Sequence, residues 1–410
     1  MSTSLPLGFQ WSSATAGIKA SGKPDVALAF CPGGANAAAL FTSNQVVAAP
    51  VTVGRAHLKA TGSRVKAVIV NAGNANCATG DDGLKAAKDS CIAVAERFRC
   101  VFDEVIPSST GIIGVPFPTQ KLLDAVPSLA ESLETTPDAA ERFATAILTT
   151  DTVLKTASAS FTHDGRIVSL WGCVKGAGMI GPSLTPHATM LCYLFTDLDA
   201  SAGLLQSMLT PAVEASLNCC SIDGDTSTND TVLLLASGKS GVDASPTVAV
   251  KFQQALDEVT ASLARQLVDD GEGVTHVVTL EITGCRTDAD AKQLARSIAH
   301  SPLCKTAWSS ADPNWGRLLA AAGYAGVPFD AREVRITIAG LPVFSHGVRD
   351  PLYDEAATHA AMSERAYTIA LDFGAVAAIS AVRATDQGRC RFVTCDLTQE
   401  YVRINAEYST

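Results

Sequence analysis

Lys66-Ala-Val-Ile-Val-Asn71 is a short, largely β-branched run that leads into the turn cluster Asn71-Ala-Gly-Asn-Ala-Asn76. Beyond it, Leu84, Ala87, Cys91, Val94 or Ala95, and Phe98 recur at three- and four-residue spacing, which places them on one face of a helix over 83–98. The order is strand, loop, helix. The same alternation returns downstream. Phe252, Leu256, Val259, Leu263 and Leu267 line a second helix, followed by the strand-like Val277–Ile282 and a further helix around Ala291, Leu294, Ala295 and Ile298. Val334–Ala339, Ala366–Leu371 and Arg166–Trp171 read as additional strands. Mixed α and β throughout is the fold class that periodicity supports.

A chain of 410 residues accommodates roughly two or three domains of ordinary size. With 47% apolar and 18% charged residues, disordered and fibrous classes are excluded. The net charge is −10 and no stretch concentrates Lys and Arg, which argues against a nucleic-acid or anionic-membrane partner. Any anionic substrate must therefore meet a local cation. The longest apolar windows, 188–195 and 374–382, fall far short of the roughly 18 residues needed to cross a bilayer. The amino terminus has no basic segment followed by an apolar one, so a cytoplasmic address is expected. Twelve cysteines scatter from Cys31 to Cys395 without a C-x-x-C pair, and the seven histidines are dispersed. Neither a disulfide framework nor a metal site is expected. Asp124–Asp138 and Gly238–Pro246 are the most linker-like stretches, and 172–186 is a glycine- and proline-rich loop of the kind that carries function.

Three motifs fail on inspection. Gly176-Ala-Gly178-Met-Ile-Gly181 fits G-x-G-x-x-G after a strand, with Asp197 downstream. A dinucleotide site needs a helix to begin within the glycines, however, and Pro182 and Pro186 follow at once. Gly238-Lys239-Ser240 resembles the end of a P-loop, but Leu233 stands where its first glycine belongs. Asp223-Gly-Asp225-Thr-Ser227-Thr-Asn229-Asp230 begins like a calcium loop, yet Thr228 replaces the turn glycine and Leu234 the closing glutamate. That segment reads either as a polar turn or as an active-site loop.

Ala188-Thr-Met-Leu191 stands at the exit of the glycine loop, with Lys175-Gly-Ala-Gly-Met179 upstream and Ser109-Thr-Gly-Ile-Ile-Gly114 in a second turn. Together with Asn71–Asn76, Thr149-Thr-Asp-Thr152, Asp223–Asp230, Asp312-Pro-Asn-Trp-Gly-Arg317 and the ending Tyr401–Thr410, these segments resemble the ornithine acetyltransferase (glutamate N-acetyltransferase) family. The resemblance runs from Gly17-Ile-Lys-Ala-Ser-Gly22 to the last residue.

The resemblance implies an αββα sandwich of the self-processing, amino-terminal-nucleophile kind, with a smaller carboxy-terminal α/β part. It implies cleavage between Ala188 and Thr189, giving an α chain 1–188 and a β chain 189–410 that begins with the nucleophile Thr189. Two α and two β chains would form a heterotetramer. The implied reaction moves acetyl from N2-acetyl-L-ornithine to L-glutamate through Thr189, with no cofactor and no metal; acetyl-CoA as a further donor stays open. Oxyanion stabilisation falls to Thr110 and Gly111, and substrate contacts to Thr149, Lys175, Thr189, Glu272, Asn405 and Thr410. The approach to the cleavage site, Gly181–His187, is longer than the family's usual one.

The residue types suit this chemistry. A small residue at 188 leaves its carbonyl open to the Thr189 hydroxyl. The α-amine that cleavage frees has an intrinsic pKa near 8, so it can serve as an internal general base. Two competing readings use the same residues: a related amidase or aminopeptidase that passes the acyl group to water, and an unprocessed protein that only binds amino acids.

Overall fold

The computed structural model describes residues 5–181, 190–374 and 388–407. Two compact units divide the chain: one holds the described residues up to Asn218 together with Asp225–Leu267, the other holds Cys219–Gly224 and the described residues from Val268 onward. This spatial division is separate from the chain boundary expected at 188/189.

In the larger unit the elements run β1 (Gln10–Ala14), β2 (Val26–Phe41), α1 (Ala49–Ala60), β3 (Arg64–Asn74), α2 (Gly80–Phe98), β4 (Val105–Ile112), α3 (Thr119–Glu131) and α4 (Pro137–Ala146). They continue with β5 (Lys155–His163), β6 (Arg166–Lys175), β7 (Leu191–Thr196), α5 (Ala202–Ala215), β8 (Thr231–Ala236) and α6 (Pro246–Asp269). One sheet joins the strands in the order β4-β3-β2-β8-β7-β6-β5, with β1 also paired to β2. The neighbours β3/β4 and β7/β8 are parallel, and each needs a crossover helix, α2 and α5 respectively.

The sheet folds over because β2 changes partners along its length. Val26–Phe30 pairs with β1 and β3, a register shift follows across Cys31-Pro-Gly-Gly34, and Asn36–Phe41 pairs with β8. Pro32 lacks a ladder donor and Gly34 takes φ +72°, so this segment suits a bulge. As a result Val68, Val70 and Ile106 of one half share a core with Trp171, Cys173, Tyr193, Phe195, Leu233 and Leu235 of the other. Trp11 sits edge-on to Trp171 and Phe195, ring centroids 5.7 and 5.6 Å away. Such pairs add about 0.5–1.5 kcal/mol each beyond the area they bury. Phe143 of α4 completes this inter-layer core.

Helices cover the outer faces. Val26, Leu28, Ala67, Ile69 and Val105 pack against α1, α2 and α3 through Val53, Cys91, Val94, Leu122 and Val126. On the opposite side α5 receives the Ala39 N–H on Gln206 Oε1 at 3.1 Å. A β-carbon at Gly172 would come 3.3 Å from Leu263 of α6, so α6 lies close over β6. The layers are thus α, β, β, α, the sandwich that the resemblance implies.

The smaller unit contains β9 (Val277–Cys285), α7 (Asp288–Ala299), α8 (Pro302–Ser309), α9 (Trp315–Gly323), β10 (Arg335–Ile338), β11 (Leu341–Ser345), β12 (Val348–Arg349), α10 (Glu355–Met362), β13 (Ala366–Asp372), β14 (Gly388–Cys395) and α11 (Gln399–Glu407). Its strand order is β12-β11-β10-β13-β9-β14. Leu280, Ile282, Ile336, Ile369 and Phe392 bury one face against Leu294, Ile298, Trp308, Leu318 and Met362. This is the expected carboxy-terminal α/β part.

Two sequence expectations need correction. The linker-like stretch 124–138 is mostly helical: α3 carries Pro127 in its interior because Leu122, Val126 and Leu129 bury a stripe that outweighs the lost hydrogen bond. Pro137 opens α4, where a missing N–H costs little, and Thr136 caps it by accepting from Ala139 N. The loop expected from Gly172 starts only after Lys175, since Gly172–Lys175 complete β6. Among the described residues no helix is long and apolar enough to cross a membrane.

Candidate functional site

Thr110 and Gly111 lie near the end of β4, and Lys175 is the last residue of β6. Four strands separate β4 from β6 in the sheet, yet the fold-over brings the buried Lys175 Nζ to 3.1 Å from Thr110 Oγ1.

Thr110 and Gly111, expected in a turn, belong instead to strand β4, paired in parallel with β3, and they are braced on several sides. Gly111 has φ +131°, and a β-carbon there would run into the backbone of Gly73 and come 2.5 Å from Asn74 N. Only glycine fits that approach. Ser109 Oγ donates to Asn71 Oδ1 at 2.6 Å, and the Asn71 amide donates to Asn74 O at 2.8 Å. Asn229 Nδ2 donates to Ser109 O at 2.8 Å and to Ala75 O at 2.6 Å. Asn229, near the end of the Asp223–Asp230 segment, therefore braces the backbone at Ser109 beside Thr110, and it is a supporting residue that sequence reading quoted without assigning it a task. Among the described residues no group of three or more His, Cys, Asp or Glu side chains is placed to hold a metal ion.

Thr149 enters through the segment that follows α4. Its N–H donates to Asp151 Oδ2 at 3.0 Å, while Asp151 Oδ1 accepts from Gly176 N at 2.6 Å and from Lys155 Nζ at 2.6 Å. Burial alone would raise the Asp151 pKa; the charges of Lys175 and Lys155 and the hydrogen bonds outweigh it and hold the carboxyl at about 2. Lys19 stands nearby, its ammonium donating to Pro24 O at 2.8 Å and Ala146 O at 2.9 Å. Its pKa falls to about 8, chiefly through burial, with Asp25 opposing and Lys175 adding to the shift. Sequence reading missed both Asp151 and Lys19 as members of this cluster. The signal for Asp151 was its place inside Thr149-Thr-Asp-Thr152, two residues after the candidate Thr149.

In the smaller unit Asn405 Nδ2 of α11 donates to Glu272 Oε2 at 2.8 Å, so these two expected substrate contacts meet each other. Gly273 permits this. At φ +69° a β-carbon there would lie 2.6 Å from Tyr401 N, and Thr398 Oγ1 donates to Gly273 O at 2.7 Å. Arg365 fastens the same loop by donating to Asp269 O at 2.8 Å. Ala188, Thr189 and Thr410, with His187, lie outside the described residues. The G-x-G-x-x-G run forms no helix start in its described part, and Asp197 serves instead as an acceptor for Leu7 N and Ser169 N.

The family model described as ArgJ family matches residues 10–410. The chain belongs to the ArgJ family. An arginine biosynthesis bifunctional protein ArgJ of Methylococcus capsulatus is 42% identical over 407 residues, covering 98% of this chain and 95% of the relative. Among solved structures, the ArgJ of Bacillus halodurans is 33% identical, covers 54% of this chain and 100% of its own, and has a TM-score of 0.49. An ornithine acetyltransferase of Mycobacterium tuberculosis, solved with ornithine, is 36% identical over 44% of this chain and 94% of its own, with a TM-score of 0.39. The family match covers residues of both units.

Proposed function

We propose that the chain is a glutamate N-acetyltransferase of arginine biosynthesis, which takes acetyl from N2-acetyl-L-ornithine and gives it to L-glutamate through Thr189. Membership of the ArgJ family over residues 10–410 supports the substrate assignment. The observation that carries the mechanism is the meeting of Thr110 and Lys175 beside Gly111, at positions remote in sequence.

Processing comes first in this reading. Thr189 Oγ adds to the Ala188 carbonyl, the acyl group moves from nitrogen to oxygen, and water opens the ester, leaving chains 1–188 and 189–410. In turnover the Thr189 hydroxyl, its proton taken by the freed α-amine, attacks the acetyl carbon of acetylornithine. The C–N bond breaks, and the ornithine nitrogen leaves with that proton. The neutral glutamate α-amine then attacks the acetyl ester and gives up a proton to the Thr189 α-amine; the C–O bond breaks, and that proton passes to Oγ to restore the Thr189 hydroxyl. Each tetrahedral intermediate carries an oxyanion, for which Thr110 and the Gly111 N–H are the assigned donors. Lys175 and Thr149 hold the amino-acid substrate, and Glu272, Asn405 and Thr410 complete its contacts. The α and β chains associate as two of each. A cytoplasmic address is part of this reading.

The test is acetylornithine with labelled acetyl. Label should sit on the β chain when glutamate is absent and move to glutamate when it is added. Free acetate as the main product in both cases would replace transfer by hydrolysis. A parallel arm with acetyl-CoA in place of acetylornithine tests the second donor.

A further inference from the structure

The Asp151 carboxylate joins two candidate substrate contacts that are 26 residues apart in sequence, and the proposed mechanism gives it no task. Its side chain and that of Lys155 are both fully covered, with 2.6 Å between Oδ1 and Nζ. The same Oδ1 accepts from Gly176 N, the residue after Lys175, and Oδ2 accepts from Thr149 N. One rigid group thus ties the backbone at Thr149 to the backbone at the end of β6.

A purely structural ion pair is a poor account of this arrangement. Burying a carboxylate and an ammonium together costs about as much desolvation as their attraction returns, and a packed apolar pair serves stability equally well. The two backbone bonds are what an apolar pair cannot supply. Each uses a different carboxylate oxygen, so the separation and orientation of Thr149 and Lys175 are set by the geometry of a single side chain.

We propose that Asp151, with Lys155 as its buried counter-ion, is a positioning residue that fixes the Thr149–Lys175 clamp for the amino-acid substrate. This rests on the reading of Thr149 and Lys175 as substrate contacts. Asp151 touches no reacting atom; it acts by holding the two residues that do the binding.

Three variants of the full-length enzyme separate the alternatives. Asp151→Asn keeps the shape but offers one acceptor oxygen, so one of the two backbone donors loses its partner. KM for acetylornithine should rise tenfold or more while kcat falls less. Asp151→Leu combined with Lys155→Met removes both buried charges together. Its melting temperature should return close to that of the wild type while KM stays raised, because packing is repaired and the two backbone anchors are not. A wild-type KM in the double variant overturns the proposal and leaves the pair a structural one. If the double variant does not fold, a wild-type KM in Asp151→Asn overturns it equally. Lys175→Met, assayed alongside, tests the underlying reading. An unchanged KM there removes Lys175 from the substrate site, whereas a raised KM there with normal KM in the Asp151 variants defeats the positioning role alone.

Discussion

Lys175 Nζ donates to Thr110 Oγ1 at 3.1 Å, which leaves the single hydroxyl hydrogen of Thr110 directed elsewhere. An oxygen that accepts from an ammonium becomes the oxygen of a stronger O–H donor, since charge-assisted bonds polarise their partners. In the proposed mechanism Lys175 would therefore act on the oxyanion site as well as on the substrate. Thr110→Ala should lower kcat by roughly a hundredfold or more, the scale of losing one oxyanion donor. Lys175→Met should cost less in the Thr110→Ala background than in the wild type, because the shared contact is already gone. Additive losses in that double-mutant cycle would show that the two residues act independently.

Gly111→Ala is expected to fail for a reason of backbone space. The new β-carbon would enter the Gly73 backbone and lie 2.5 Å from Asn74 N, in a φ region that side chains avoid. Strain of this kind costs on the order of 1–3 kcal/mol before any clash is counted. The melting temperature should fall together with acetyl transfer. Wild-type values for both would mean that β3 and β4 can separate at this point.

The regular elements were legible where side-chain periodicity is strong: α6, α7, β9 and β13 fall where the sequence places them, with ends shifted by a few residues. β2 was not legible, because its alanines at 27, 29, 35, 37, 38 and 39 carry little strand preference and its partner switch depends on contacts made much later in the chain. Pro127 misled for a similar reason, a local signal overruled by packing. The family resemblance of the motifs assigned site roles to Thr110, Gly111, Thr149 and Lys175, and the structure brings Lys175 to Thr110. That Lys175 reaches Thr110 depends on the sheet folding over, and Asp151 becomes visible only when Gly176 is brought to it. Glu272 and Asn405 meet because Gly273 lets α11 come close, which spacing alone does not reveal.

His300, at the end of α7, makes the smaller unit sensitive to acid. Its ring faces Gly224, where an added β-carbon would lie 3.2 Å away, and meets Phe392 edge-on at 6.5 Å. Among the described residues its Nε2 is buried without a hydrogen-bond partner. Burial first, then the charges of Arg296 and Lys305, lower its pKa from 6.5 to about 4. Between those values the unfolded chain binds a proton that the folded one does not, so the stability tied to the neutral ring is lost as pH falls from about 6.5 towards 4. His300→Gln should melt below the wild type at neutral pH, and the gap should narrow over that window. A gap that is constant with pH would show that the ring is free to protonate in place.

Thr189 is asked to serve two reactions, and substitution separates its hydroxyl from its β-branch. Thr189→Ala has no group to attack Ala188 and none to carry acetyl, so the purified protein should remain one full-length chain without transfer activity. Thr189→Ser keeps the hydroxyl and should retain both reactions, more slowly, because serine loses the χ1 restriction that holds a threonine hydroxyl in one direction. Intact mass under denaturing conditions reads processing directly: fragments ending at Ala188 and beginning at residue 189 for wild type and serine variant, a single species for alanine. After acetylornithine without glutamate, an acetyl increment should appear on the β chain of wild type and serine variant only. The increment should clear when glutamate arrives, since a bound amine held against the ester outcompetes water through effective concentration. A Thr189→Ala chain that still moved acetyl, or a wild-type enzyme active as one uncut chain, would remove the threonine and its freed amine from the mechanism.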